Sequence, residues 1–155
     1  MVQGNPEVVD ILNEALTAEL TAVNQYVAAS KMAENAGYHK LAKDYRDESI
    51  GEMQHAEALI DRILFLEGIP NMQRLFAVAV HSSIVAQFRA NYELELGAVE
   101  RYQRAVAICD GAGDPGSRLL AERILVDEET HVDEAEAELE NLEQLGEQLW
   151  LAKWV

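Results

Sequence analysis

The chain has 155 residues, 49 % of them hydrophobic, with 28 acidic against 12 basic side chains and a net charge of −16. That length and apolar content fit one packed unit over residues 1–155 and exclude a disordered chain. The acidity excludes bulk electrostatic binding of nucleic acid, and a lone cysteine, Cys109, excludes a disulfide framework and suits a reducing compartment.

Asn5-Pro6 offers an N-cap with proline at the first helical position, and Glu7 follows in the first turn. Val8, Ile11, Leu12, Leu16, Leu20, Val23 and Val27 then recur at helical steps up to Gly37, a left-handed stop. A second helix is expected from about His39 to Glu67, closed by Gly68 and Pro70. Residues 69–81 carry no helical pattern and are long for a hairpin link, so they should cross along the bundle. A third helix is expected from near Ser82 to about Asp110, followed by a break at Gly111, Gly113, Asp114 and Pro115. Asp114-Pro115 repeats the cap-and-proline start, and a fourth helix runs to about Leu145. Gly146 breaks again, and Glu147 to Val155 form a short fifth helix whose Leu149, Trp150, Leu151 and Trp154 are expected to bury at a subunit contact. The expected fold is all-α: an up-down four-helix bundle, a long crossover between helices 2 and 3, and a short fifth C-terminal helix. No apolar run approaches the roughly 20 residues that span a bilayer. The N-terminus, from Met1 to Glu7, lacks a charged and then apolar leader, so a soluble, cytoplasmic chain with no membrane partner is expected.

An internal repeat places the chemistry. At an offset of 76 residues, Glu19-Leu-Thr-Ala-Val-Asn-Gln-Tyr26 lies over Glu95-Leu-Gly-Ala-Val-Glu-Arg-Tyr102, with five of eight positions identical. The same offset takes Gly37 to Gly113, Glu52 to Glu128 and His55 to His131, which reads as a duplicated helical hairpin. Glu19 lies 18 residues before Gly37 and His55 lies 18 after it, so an antiparallel hairpin sets them at one height. Glu52 and His55 are one turn apart on one face. Two such hairpins face to face bring Glu19, Glu52, His55, Glu95, Glu128 and His131 together at mid-height. One glutamate from each of two helices plus a Glu-x-x-His pair from each of the others is a carboxylate di-iron or di-manganese arrangement. Four carboxylates balance two divalent cations; without metal some of them must take up protons. The expected division is Glu19 with His55 on one ion, Glu95 with His131 on the other, and Glu52 and Glu128 bridging. Tyr26 and Tyr102, two turns beyond Glu19 and Glu95, are candidates for hydrogen bonding to ligands or for supplying an electron. His39 and His81 are expected to be exposed, and Cys109 to be a small buried residue.

With these residues in place the sequence resembles the bacterioferritins over essentially its whole length. The stretches that carry the resemblance are Glu19 to Tyr26, Glu48-Ser-Ile-Gly-Glu-Met-Gln-His-Ala56, Arg62-Ile-Leu-Phe-Leu-Glu-Gly-Ile-Pro-Asn71 and Asp127-Glu-Glu-Thr-His131. The resemblance implies a ferritin-like fold and puts the ferroxidase ligands on the six residues already reached. It further implies two iron ions per subunit, oxidation of Fe(II) by dioxygen or hydrogen peroxide, and a ferric mineral stored inside a homo-oligomeric shell of about 24 subunits. It also implies haem b shared between two subunits through Met53, and a ferredoxin-type reductant for iron release. Many relatives carry a cavity-facing Asp where this chain has Gly51; Asp47, one turn earlier, is a partial substitute.

The main alternative is a catalytically weak structural or haem-carrying subunit of a mixed ferritin shell, which the loss of a side chain at Gly51 would suit. A rubrerythrin-like peroxidase would need a cysteine-held iron site that one cysteine cannot build. A DNA-protecting miniferritin would need a basic N-terminal arm, which is lacking, and would not place its ligands in this intrasubunit repeat.

Overall fold

A computed structural model of the chain describes residues 3–155; Met1 and Val2, the start of the segment read for an export leader, lie outside the described residues. Five helices follow in order: α1 (Pro6–Asn35), α2 (His39–Phe65), α3 (Ile84–Gly111), α4 (Pro115–Leu145) and α5 (Glu147–Ala152), with no strand among the described residues. No helix among them is long and apolar enough to cross a membrane.

The expected caps form. Asn5 accepts from Glu7 N at 2.8 Å, and the Asp114 carboxylate accepts from Ser117 N at 3.0 Å. Helix 3 starts one turn-residue later than the first serine suggests, because Ser83 rather than Ser82 caps it through Ala86 N. Both hairpins close in the same way: Gly37 (φ 89) and Gly113 (φ 68) take the left-handed position, and the next N–H reaches back five residues, Tyr38 to Ala33 and Asp114 to Cys109. Helix 2 ends at Phe65, short of the expected Glu67. There the left-handed residue is Glu67 (φ 60), and Gly68 follows it because a Cβ would stand 2.8 Å from Val9 Cγ1.

The fifth helix stops at Ala152 rather than Val155. Tyr38 provides no side-chain cap for α2, and the Trp154 carbonyl instead accepts from Lys40 N at 3.0 Å. This docking corrects the expected subunit contact in part. Trp150 is fully buried within its own chain, edge-on to Phe88 at 5.2 Å and donating from Nε1 to Glu138 Oε2 at 2.9 Å. Leu151 and Trp154 are half-buried against the same cluster, and Leu149 is the exposed member.

Helix α1 packs along α2 and α3 along α4; the two hairpins meet mainly through α1 and α3, with a smaller contact between α2 and α4. Residues 69–81 run along the bundle as expected, so α2 and α3 point the same way. Their backbone groups are met by α1 side chains: Asn13 binds Ile69 O and Asn71 N, Thr21 Oγ1 accepts from Phe76 N, and Gln25 Oε1 accepts from Ala79 N. Gln87 adds bonds to Ala79 O and His81 N.

The core has two apolar halves. One gathers Val8, Leu12, Leu16, Leu59, Ile63, Tyr102 and Cys109, and the other Tyr26, Leu41, Tyr45, Phe88 and Trp150. Burial of each large aliphatic side chain contributes roughly 1.5–3 kcal/mol. Cys109 is buried as expected, and burial pushes its thiol up to about 11. His39 and His81 are exposed. Between the halves lies a layer containing Glu19, Glu52, Glu95 and Glu128, each no more than 3 % exposed.

The hairpins are also tied at the far end of α2. Arg62 donates to Asp114 Oδ1 and to Ser117 Oγ, both at 2.9 Å. Burial would raise the Asp114 carboxyl, but the Ser117 hydroxyl and N–H and the Arg62 charge hold it below its ordinary value. A depressed folded pKa means that the gain is complete above the unfolded value and shrinks as pH falls through the folded one. Asp114→Ala should therefore destabilise by about 2 kcal/mol at neutral pH. In chemical denaturation the gap to the parent should narrow below about pH 4.

Candidate metal centre

The six residues expected from spacing converge. Glu19 on α1, Glu52 and His55 on α2, Glu95 on α3, and Glu128 and His131 on α4 project into the layer between the apolar halves. His55 Nδ1 lies 3.6 Å from Glu19 Oε1, 3.9 Å from Glu52 Oε2 and 3.0 Å from Glu128 Oε1. His131 Nδ1 lies 3.4 Å from Glu52 Oε1, 3.5 Å from Glu95 Oε2 and 3.6 Å from Glu128 Oε2. Glu52 and Glu128 thus turn one oxygen toward each imidazole.

The donor set is unsatisfied by the protein itself. Glu19 Oε2, Glu52 Oε1, Glu95 Oε2, both oxygens of Glu128, and Nδ1 of both histidines are buried without an aligned hydrogen bond. Buried polar atoms are almost always paired. A whole shell of orphaned oxygens and imidazole nitrogens around a shared volume therefore fits divalent cations with a preference for oxygen and imidazole. Two groups have one ligand atom each within a common 4.8 Å: Glu19, Glu52, His55 and Glu128, and Glu48, Glu52, Glu95 and His131.

The electrostatics of the side chains alone show what the cluster costs. Burial and then the Glu19 carboxylate push Glu52 well above the usual carboxylate range, and burial with Glu128 does the same to Glu95. Burial opposes charge on Glu128, yet its contacts with Glu95, His131 and His55 hold it below that range. Burial likewise disfavours a charged His55, but the Glu128 and Glu19 carboxylates push it up to about 11. His131 is raised too, by Glu128, Glu52 and Glu95 against the effect of burial. Bound protons and bound cations would relieve the same repulsion.

The tyrosines take partners across the hairpins. Tyr26 donates to Glu95 Oε1 and Tyr102 to Glu19 Oε1, both at 2.5 Å. Each phenol fixes one glutamate and leaves its second oxygen free. Burial, then Glu95 for Tyr26 and Glu19 for Tyr102, pushes both phenols well above their ordinary value, so they stay protonated.

Two acidic neighbours were not singled out from spacing. Asp127 accepts from His55 Nε2 at 2.9 Å, which leaves Nδ1 facing the buried carboxylates. Glu48 Oε2 lies 3.4 Å from His131 Nε2. Glu48, Glu52 and His55 sit at i, i+4 and i+7, so the run on one face of α2 was a signal; Asp127 had none, because its repeat counterpart is Gly51. A cavity of about 370 Å³ opens beside the centre and is lined by Glu48, Glu95, His131, Tyr45, Asn91 and Trp154, among others. Met53 stands apart from the cluster, 38 % exposed on the outer side of α2.

The chain as a whole is similar to known proteins. The ferritin-like domain of the Ferritin family matches residues 9–145. A bacterioferritin of Streptomyces coelicolor is 49 % identical over 151 residues, covering 97 % of this chain and 90 % of that one. A bacterioferritin of Mycolicibacterium paratuberculosis is 45 % identical over 154 residues, covering 99 % and 97 %. The solved structure of Mycobacterium tuberculosis bacterioferritin superposes with a TM-score of 0.97 at 43 % identity, covering 99 % of this chain and 97 % of that one.

Tyr26→Phe and Tyr102→Phe each free one carboxylate to rotate. Each should weaken Co(II) binding, measured by anaerobic titration, by about tenfold. Tyr45→Phe, whose hydroxyl meets no ligand oxygen, should leave it unchanged.

Proposed function

The chain belongs to the bacterioferritin family of ferritin-like proteins, and from that premise we propose that it stores iron and oxidises Fe(II) at the buried carboxylate-histidine centre. The observation that carries this reading is the shell of orphaned ligand atoms shared by Glu19, Glu52, His55, Glu95, Glu128 and His131. Iron is the family's cargo, and it enters as the substrate. Two Fe(II) ions bring four positive charges to four carboxylates, displacing the protons that otherwise neutralise them. Glu19 and His55 hold one ion, Glu95 and His131 the other, and Glu52 and Glu128 hold both. Two ions side by side can each give one electron to dioxygen or hydrogen peroxide, so the oxidant is reduced by two electrons at once.

The protein's own part is to hold this set in place. Tyr102 and Tyr26 aim Glu19 and Glu95; Asp127 fixes the tautomer of His55. Tyr26 can supply a further electron to the same oxidant, its phenol proton passing to Glu95 Oε1 at 2.5 Å. The apolar halves above and below bury the four carboxylates.

The same reading assembles about 24 such chains into a closed shell. Exposed apolar side chains supply contact surface: Ile69, Met72 and Val80 on the crossover and Leu149 on α5. Met53, with Ile50 one turn before it, presents a thioether on an exposed apolar stripe of α2, which suits a haem b shared with a second subunit. A ferredoxin-type reductant then returns the stored ferric iron as Fe(II).

Combining Glu19→Ala with His131→Ala removes one ligand from each ion. It should slow aerobic Fe(II) oxidation, followed by ferric absorbance, by about a hundredfold or more while the shell still assembles; a parental rate would refute the ligand set. Met53→Leu should reduce haem in the purified protein to traces and leave Fe(II) oxidation unchanged. Haem retained at the parental level would remove Met53 from that role.

A further inference from the structure

The two halves of the centre are built from one repeat, yet they are not alike. On the first half, His55 Nε2 is held by Asp127 at 2.9 Å and Nδ1 lies 3.0 Å from Glu128. On the second, His131 Nε2 has only Glu48, at 3.4 Å without the alignment of a hydrogen bond, and Nδ1 lies 3.6 Å from Glu128. Exposure follows the same order, 12 % for His55 and 20 % for His131. The cavity of about 370 Å³ touches Glu95 and His131, whereas Glu19 and His55 do not line it.

The repeat locates the cause. The offset that carries His55 onto His131 carries Gly51 onto Asp127. Asp127 of the second hairpin grips His55 of the first, so the symmetric contact would run from residue 51 to His131. Gly51 has no side chain to make it. Nothing in the fold requires glycine there: a Cβ would meet no heavy atom within 4 Å, and the position lies inside α2, where glycine costs about 1 kcal/mol relative to alanine.

We infer that the two metal positions are inequivalent, a tight and fixed one at Glu19 and His55 and a weaker, exchanging one at Glu95 and His131, and that Gly51 sets the difference by leaving His131 without its positioning carboxylate. This rests on the two-metal reading above. An imidazole whose far nitrogen is gripped loses less freedom when it binds, and loss of such a partner typically weakens metal binding by about 10- to 100-fold. The ion at Glu95 and His131 would also border the cavity of about 370 Å³, which offers it a path to exchange.

The test uses the assembled protein, stripped of metal and titrated with Zn(II) without oxidant. Two steps separated by about tenfold or more are expected. Crystals loaded with one Zn(II) per subunit should show anomalous density first at Glu19 and His55. Gly51→Asp should strengthen the weaker step alone by about tenfold, closing the gap. Asp127→Ala should weaken the stronger step alone; circular dichroism and shell size establish that each variant is folded. Equal occupancy at half-loading, or a ratio of affinities that Gly51→Asp leaves unmoved, would overturn the inference while the two-metal reading stands. A parent that binds no Zn(II) would instead sink the two-metal reading itself.

Discussion

Four carboxylates are buried where a bundle of this kind would ordinarily place leucine, and the rest of the chain is arranged around that cost. Glu19, Glu52, Glu95 and Glu128 form a charged layer between two apolar halves, neither of which contains an ionised group at its centre. Isolated charges in such a place would be prohibitive. The two imidazoles and two phenols packed among them supply positive charge and donated hydrogen bonds, and what remains unsatisfied is a set of ligand atoms. The apolar halves thus stabilise the fold with enough margin to hold a layer that works against it. The centre therefore depends on both ends of the bundle, including the far cluster that α5 closes with Trp150.

Much of this was legible in the residues. The repeated Glu, Gly, Glu-x-x-His spacing determined which side chains meet, because two antiparallel hairpins with a turn at Gly37 and Gly113 allow only one register. Helix starts at Asn5-Pro6 and Asp114-Pro115 were legible because the cap is local chemistry. What the chain did not disclose was contact between distant segments. The end of α5 depends on a carbonyl needed by an uncapped α2, and the end of α2 depends on how closely Val9 approaches Gly68. Asp127 escaped notice for a related reason: its contact runs between hairpins, and the repeat that revealed the ligands has a glycine at the matching place.

The net charge acquires a distribution. Four of the 28 acidic residues lie in the buried layer, so most of the surplus over the 12 basic ones lies elsewhere. Asp44, Glu134 and Glu138 line the same cavity as His131, and burial with neighbouring Asp47 raises the Asp44 carboxyl. This places negative potential beside the more exposed half of the centre, where cations in solution would be concentrated.

The crossed tyrosines bear on how such a chain can change over generations. Tyr26 meets Glu95, and Tyr102 meets Glu19, so each half of the duplication keeps its geometry only while the other half keeps the same seven-residue interval. Insertion or deletion of one residue within either interval would disrupt both phenol contacts and both terminal ligands together. The crossover's ties run to Asn13, Thr21 and Gln25 and to none of the four glutamates. Two halves that began as copies can diverge freely in surface and in linker, as Gly51 and Asp127 have done, but between glutamate and tyrosine they must keep the same length.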